Sequence, residues 1–278
     1  MPAPLLAVED VSVRFAGLAA LDNVSMSVTE REVVSLIGPN GAGKTTLFNV
    51  ICGFVRPVSG RVTIGGRTPR RTTDLARLRV ARTLQGVSLW KGVSVLENVM
   101  SGGHVTQRGG FVSSFLGAGT GPRHERELRD RAWSVLERLG ASHAANALPG
   151  ELPYGVQKRV AIARALMADP ALLLLDEPAS GLAPAEMDEL AALLAECRTT
   201  MAVLLVEHHM DFVMAISDRI VVLNFGRVIA AGTPDEVQTD PEVTDAYLGE
   251  QVDEPGSAHA SDPPARSAHA PEPPAQAP

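Results

Sequence analysis

Nine consecutive residues, Gly38-Pro39-Asn40-Gly41-Ala42-Gly43-Lys44-Thr45-Thr46, constrain this chain more than any other stretch. They fit the phosphate-binding pattern G-x-x-x-x-G-K-[ST] at each fixed position. The pattern needs a strand before it and a helix after it, and the flanks supply both. Val33-Val34-Ser35-Leu36-Ile37 is an apolar run suited to a buried strand, and Thr45 to Cys52 continues as a helix. Gly38, Gly41 and Gly43 let the backbone turn so that successive N–H groups converge on an anion, and the new helix adds its positive dipole end. Lys44 brings a point charge for β- and γ-phosphates, and the Thr45 hydroxyl is an oxygen ligand for Mg²⁺. The bland alternative is a Gly-rich turn that happens to precede a helix; Lys44 and Thr45, both in register, argue against it.

The complementary half of such a site lies far along the chain. Leu172-Leu173-Leu174-Leu175-Asp176-Glu177 delivers two carboxylates to the end of an apolar strand. Asp176 is placed to hold Mg²⁺, and Glu177 to polarise a water for in-line displacement on a γ-phosphate. An Asp-Glu pair alone is a weak signal. Behind a strand, and partnered by a phosphate loop, it is a specific one.

Composition narrows the surroundings of this site. Hydrophobic residues make up 45% and aromatics only 4%, so a sizeable core has to be built from Ala, Val and Leu. A formal charge of −7 argues against general nucleic-acid binding, and no nucleic-acid partner is expected. Cys52 and Cys197 have no CxxC spacing and read as reduced core residues. Met1 to Asp10 lacks a basic segment followed by an apolar one, and no run approaches the ~20 apolar residues of a membrane span. The expected location is cytoplasmic, with any link to a membrane made through a partner.

Along the chain, Leu6 to Phe15 and Val24 to Val28 read as strands, and Val58 to Gly66 as a strand closed by a Gly turn. Phe15, ending its strand shortly before the phosphate loop, either stacks on a nucleotide base or packs in the core. Arg67, Arg70, Arg71, Arg77, Arg79 and Arg82 accumulate without interleaved aromatics and read as a solvated face. Residues 81 to 99 are mixed and 101 to 122 polar and Gly-rich. Arg123 to Leu139 carries an apolar stripe at helical spacing, and a second helix runs from Lys158 to Ala168. Residues 87 to 168 show no strand alternation, so they form a helical lobe inserted into an α/β core. The α/β pattern returns with strands at 171–175 and 201–206, helices at 184–199 and 211–217, a hairpin about Phe225-Gly226, and a closing helix from Pro241 to Leu248. From residue 251 prolines recur and a Ser-Ala-His-Ala motif repeats, a composition expected of a disordered tail over 251–278.

Taken in order, these motifs resemble the ATP-binding subunits of ATP-binding-cassette (ABC) transporters over residues 5 to about 250. The phosphate loop is followed by Gln85 in Thr83-Leu84-Gln85, Leu152-Pro153-Tyr154-Gly155-Val156-Gln157 at the signature, Leu172 to Glu177, Ser180-Gly181-Leu182-Ala183 as the D-loop, and His208 in Val206-Glu207-His208. The resemblance implies a P-loop NTPase core with an antiparallel β subdomain and an inserted α-helical signature lobe. It implies an ATPase using ATP and Mg²⁺, with Lys44, Glu177, Gln85 and His208 in the chemistry and Thr45, Gln85 and Asp176 as metal ligands. It makes Phe15 the ring that stacks on adenine and His208, rather than the adjacent His209, the γ-phosphate sensor.

In this family two subunits sandwich ATP, each nucleotide lying between one chain's phosphate loop and the other's signature. Pro153, Tyr154 and Gly155 would thus serve a partner's nucleotide. The commonest signature is Leu-Ser-Gly-Gly-Gln, and Pro153 offers neither the serine hydroxyl nor an N–H. Leu-Pro-Tyr-Gly signatures are familiar in the branched-chain amino acid branch. Arg82-Thr83-Leu84-Gln85, Val95-Leu96-Glu97-Asn98-Val99 and Ala246-Tyr247-Leu248-Gly249-Glu250 resemble the same branch. Its members power uptake through two membrane permeases, beside a second ATPase and with a solute-binding protein. ATPases for urea or short-chain amides look much alike. A chromosome or repair ATPase would need a long coiled coil between phosphate loop and signature, and residues 47 to 151 carry no sustained heptads. A non-hydrolysing scaffold fits poorly with Lys44, Asp176, Glu177 and His208 all present.

Overall fold

The structure, a computed structural model, describes residues 3–83, 86–103 and 122–248. Gln85, most of the Gly-rich stretch and the 251–278 segment lie outside the described residues.

Two strands buried on both faces organise the fold. In β6 (Leu172–Asp176) and β7 (Ala202–Val206) every apolar residue is buried, the pattern of a parallel sheet covered on both sides. They sit in a six-stranded sheet with β3 (Val33–Ile37), β5 (Val80–Arg82), β8 (Arg219–Asn224) and β9 (Arg227–Gly232), in the order β5-β6-β7-β3-β8-β9. The first five strands run parallel and β9 turns back antiparallel to β8.

Because side chains alternate along a strand, each face of this sheet builds its own core. Leu172 and Leu174 join a cluster with Leu47, Phe48 and Ile51 of α1 (Lys44–Ile51), Leu75 of α2 (Asp74–Arg77) and the inner residues of a three-stranded antiparallel sheet. That sheet has the order β2-β1-β4, from β1 (Leu6–Phe15), β2 (Leu18–Val28) and β4 (Ser59–Ile64). Leu173 and Leu175 face the other way, into helices α3 (Val95–Gly103), α4 (Pro122–Arg138), α5 (Tyr154–Leu166) and α6 (Pro184–Arg198). Each such leucine contributes about 1.5–3 kcal/mol by leaving water. A third, smaller cluster joins Val213 of α7 (Met210–Ile216) to Ile220 and Val222 of β8. It also takes in Val237 of α8 (Pro234–Gln238) and Val243 of α9 (Pro241–Leu248).

The helical lobe expected in the middle of the chain is present as α3, α4 and α5, packed through Val99, Leu128, Leu136 and Val160. Asn98, fully buried, accepts from Trp90 N–H at 2.8 Å and donates to the Trp90 and Ser94 carbonyls. A buried amide is kept only with its partners in place, and here it pins the segment entering α3. Among the described residues no helix is long and apolar enough to cross a membrane.

The structure corrects several readings made from sequence. The run of arginines is a solvated face only as far as Arg79, while the Arg82 side chain is just 12% exposed and turned inward. Ala81 and Arg82, expected within a mixed segment, belong to the edge strand β5 (Val80–Arg82), too short for a period to show. β2 begins at Leu18 rather than Val24, because Ala16 and Gly17 take positive φ (45° and 91°) and fold it onto β1. Its pairing is interrupted by register shifts, which hides the alternation. The structure also adds a short helix, α8, capped by Thr233, which accepts from Glu236 N–H while Glu236 accepts from Thr233 N–H.

Candidate functional site

Parallel strands end on the same side, and that gathers the site. β3 runs into the phosphate loop, β6 into Asp176-Glu177, β7 into Glu207-His208, and β5 towards Thr83. Leu36, Val206 and Asp176 lie in one row across three neighbouring strands. At ~4.8 Å per strand, the base of the phosphate loop and Asp176 are about 10 Å apart. The crevice at the carboxyl ends of such strands is where open α/β sheets take ligands.

The loop itself has little freedom. Gly38 sits at φ 147°, and a Cβ there would lie 2.0 Å from the Leu223 carbonyl oxygen. Gly43, at φ 105°, leaves 2.7 Å between an added Cβ and Ala20 O. Behind the loop, Gly226 N–H donates to Ala42 O at 2.9 Å, so the β8–β9 turn at Phe225-Gly226 buttresses it. α1 starts at once with no side-chain cap and no acidic residue in its first turn, which leaves its N–H groups and dipole to an anion. Lys44 Nζ donates to the Gly38 and Pro39 carbonyls, the second at 2.8 Å, holding its charge over the loop. Thr45 and Thr46 follow in the first turn of α1, and Asn40 lies on the outer side of the loop.

Opposite the loop, Asp176 ends β6 with its side chain buried and Oδ2 3.3 Å from Arg82 Nη2. Arg82 in turn donates to Asn49 Oδ1 (3.3 Å) and stacks over Phe48 (4.8 Å) and Phe54 (5.4 Å). Glu177 takes a positive φ of 48°, and its N–H is held by Val206 O at 2.9 Å. His208 has a side chain 53% exposed, whereas His209 packs 3.2 Å from Glu207 Oε2 through its Nδ1. Phe15 closes β1 with its ring half exposed.

The signature residues stand at the start of α5. Pro153 is the N-cap (φ −53°, ψ 148°), its carbonyl accepting from Gln157 N–H at 3.1 Å. Tyr154 is exposed and lies against Gly181, and Gly155 is buried beside Glu186 of α6. Tyr154, Glu177 and Ser180 line one cleft together with Lys158. The site thus contains three charged groups that the sequence reading did not single out: Arg82, Lys158 and Glu207. The first was absorbed into a run of arginines. Glu207 directly follows the apolar run of β7, and that placement is the signal that points to it; Lys158 lies between Gln157 and Arg159 and carries no such signal.

A family model described as ABC transporter matches residues 21–180, and one described as branched-chain amino acid ATP-binding cassette transporter matches residues 227–253. The high-affinity branched-chain amino acid transport ATP-binding protein LivG of Salmonella typhimurium is 46% identical over 254 residues, spanning 90% of this chain and 100% of that protein. BraF of Pseudomonas aeruginosa, which bears the same description, is 42% identical over 90% of this chain and 100% of its own. Among solved structures, a nucleotide-free ATP-binding cassette from an ABC transporter superposes with a TM-score of 0.77 at 32% identity, covering 89% of this chain and 100% of that one. An ABC transporter cassette in its ADP conformation gives a TM-score of 0.77 at 33% identity, over 90% and 100%. The match at 21–180 and the similarities to these relatives and structures run through the phosphate loop, the β6 carboxylates and the helical lobe alike, and the chain belongs to the ABC transporter family as one of its ATP-binding, ATP-hydrolysing subunits.

Proposed function

We propose that this ATPase powers an importer of branched-chain amino acids, attached to the cytoplasmic face of the cell membrane through permease subunits. The observation that carries the solute assignment is similarity across the full length of relatives named for branched-chain amino acid transport, reinforced by the match at 227–253. A solute-binding protein on the other side of the membrane delivers the amino acid, and a second ATPase chain completes the nucleotide sandwich.

In this reading the backbone N–H groups of 38–46 and Lys44 bind the phosphates, and Phe15 stacks on adenine. Thr45 and Asp176 offer a hydroxyl and a carboxylate, hard oxygen donors that suit Mg²⁺, and Gln85 adds an amide oxygen. Mg²⁺, when bound, neutralises charge on the β- and γ-phosphates. Glu177 polarises the attacking water and His208 contacts the γ-phosphate. Pro153, Tyr154 and Gly155 present the start of α5 to the ATP held by the partner's phosphate loop. Because Pro153 has no hydroxyl, that contact is carried by main-chain N–H groups and the helix dipole.

Uptake of labelled leucine and of labelled urea, in cells with the chain deleted and then restored, tests the solute. Loss of leucine uptake alone supports the reading, and loss of urea uptake alone overturns it.

A further inference from the structure

Two buried charges stand behind the loop that follows β6, and the roles assigned above use neither. Lys158, in the second turn of α5, is 9% exposed. Its Nζ donates to the carbonyl oxygens of Glu177 (2.9 Å), Pro178 (2.9 Å) and Ser180. An ammonium has three N–H donors, and three carbonyls take them. Glu207 is 0% exposed, and its Oε1 accepts the Ala179 N–H at 2.6 Å. Its Oε2 accepts the N–H groups of His208 (3.0 Å) and His209 (3.4 Å).

Residues 177 to 180 therefore each give one main-chain group to a buried charge: three carbonyls to the cation, one N–H to the anion. The same carboxylate holds the backbone of His208. Glu177 occupies a positive φ that a non-glycine residue adopts only when its surroundings impose it. Burying an ammonium and a carboxylate is costly, and such pairs add little to stability compared with apolar packing. What they fix well is geometry.

We propose that Lys158 and Glu207 are positioning residues: they set the backbone carrying Glu177 and His208 against α5, so that hydrolysis requires the helix beginning at Pro153-Gly155 to be seated on this loop. The inference rests on the roles given to Glu177 and His208 under Proposed function. It joins the signature helix, which serves the partner's nucleotide, to this chain's own reacting groups. In a two-site assembly that link makes one site sensitive to whether the other is engaged.

The test uses the purified transporter complex with the full-length chain carrying Lys158→Met, Glu207→Gln, both together, Glu177→Gln, or Leu136→Ala as a core control. Kcat and KM for ATP are measured below the unfolding midpoint of each variant. Each single positioning variant is expected to lose ~10-fold or more in kcat, with KM within ~3-fold, since misplacement by about 1 Å can cost ~100-fold. The double variant should fall within ~3-fold of the lower single, because both act on one loop. Leu136→Ala should keep its kcat while losing stability. Glu207→Gln keeps the shape of the side chain and decides the matter alone if Lys158→Met does not fold. Kcat within ~3-fold of wild type in both singles, or losses that multiply in the double, overturns the inference. Normal turnover in Glu177→Gln overturns the underlying site reading instead; an inactive Glu177→Gln beside normal positioning variants sinks only the link.

Discussion

Arg82→Met should cost this protein about 3 kcal/mol of stability, although Arg82 belongs to a run of arginines otherwise exposed. Its guanidinium is 3.3 Å from Asp176 Oδ2, with the two side chains 12% and 8% exposed. Removing one partner of a buried ion pair costs ~3–5 kcal/mol, chiefly because the other charge is left uncompensated. A single contact at 3.3 Å places this pair at the low end of that range. Stacking over Phe48 and Phe54 adds ~1 kcal/mol, and the methionine recovers ~1 kcal/mol in apolar burial. For a domain of this size a 3 kcal/mol loss moves the melting temperature by about 6–12 °C. Urea denaturation of wild type, Arg82→Met, Asp176→Asn and the double variant gives the measurement. Asparagine carries no charge, so Arg82→Met in the Asp176→Asn background should cost ~0 kcal/mol, the stacking lost and the apolar burial gained cancelling, a coupling of ~3 kcal/mol. A loss under ~1 kcal/mol for Arg82→Met alone, or the same loss in both backgrounds, would refute this reasoning.

Other expectations follow from the same geometry. Pro153→Ser introduces a residue favoured at an N-cap, worth ~1 kcal/mol, but gives up the ~0.4–1 kcal/mol by which proline restrains the unfolded chain. Its urea midpoint should stay near wild type and turnover within a few-fold; a ~100-fold change, about 2.7 kcal/mol in barrier, would contradict main-chain donors as the principal contact. Cys52 and Cys197 are fully buried and burial pushes both thiols up to about 11, so neither should react with a thiol reagent at neutral pH until the protein is unfolded. Burial raises the Glu32 carboxyl, but donors on Arg219 (2.8 Å) and Thr29 (2.6 and 2.8 Å) outweigh it and hold the group below its ordinary value of 4.5. Its contribution is therefore present above that value and lost as pH falls through the depressed one. The stability gap between wild type and Glu32→Gln should shrink on acidification from pH ~7 to ~3, and a gap that widens would be the wrong sign.

How much of this was legible in the sequence depended on whether a residue acts through local pattern or through distant contact. The phosphate loop is read from spacing alone, because strand, glycines, Lys44 and helix are contiguous. β6 and β7 are legible for a similar reason: burial on both faces leaves an unbroken apolar run. The row joining Leu36, Val206 and Asp176 was not legible, since the strand order β6-β7-β3 places strands from far-separated parts of the chain side by side. Arg82 misled for the same cause. Its neighbours in sequence are exposed arginines, but its partners Asn49 and Asp176 lie 33 and 94 residues away. Glu207 leaves only a faint mark, a charge directly after apolar residues, and Lys158, between Gln157 and Arg159, leaves none. Their meaning appears once α5 and β7 are brought to either side of the Glu177–Ser180 loop.

The central claim, that hydrolysis at Glu177 drives amino acid import through a permease, is met most directly by one measurement on the reconstituted transporter. Proteoliposomes holding the complex, with ATP on the side of this chain and leucine-loaded binding protein on the other, are assayed for labelled leucine uptake and phosphate release together. The account predicts that leucine-loaded binding protein raises both, and that Glu177→Gln abolishes both while ATP still binds. Leucine accumulation by Glu177→Gln at the wild-type rate would contradict it.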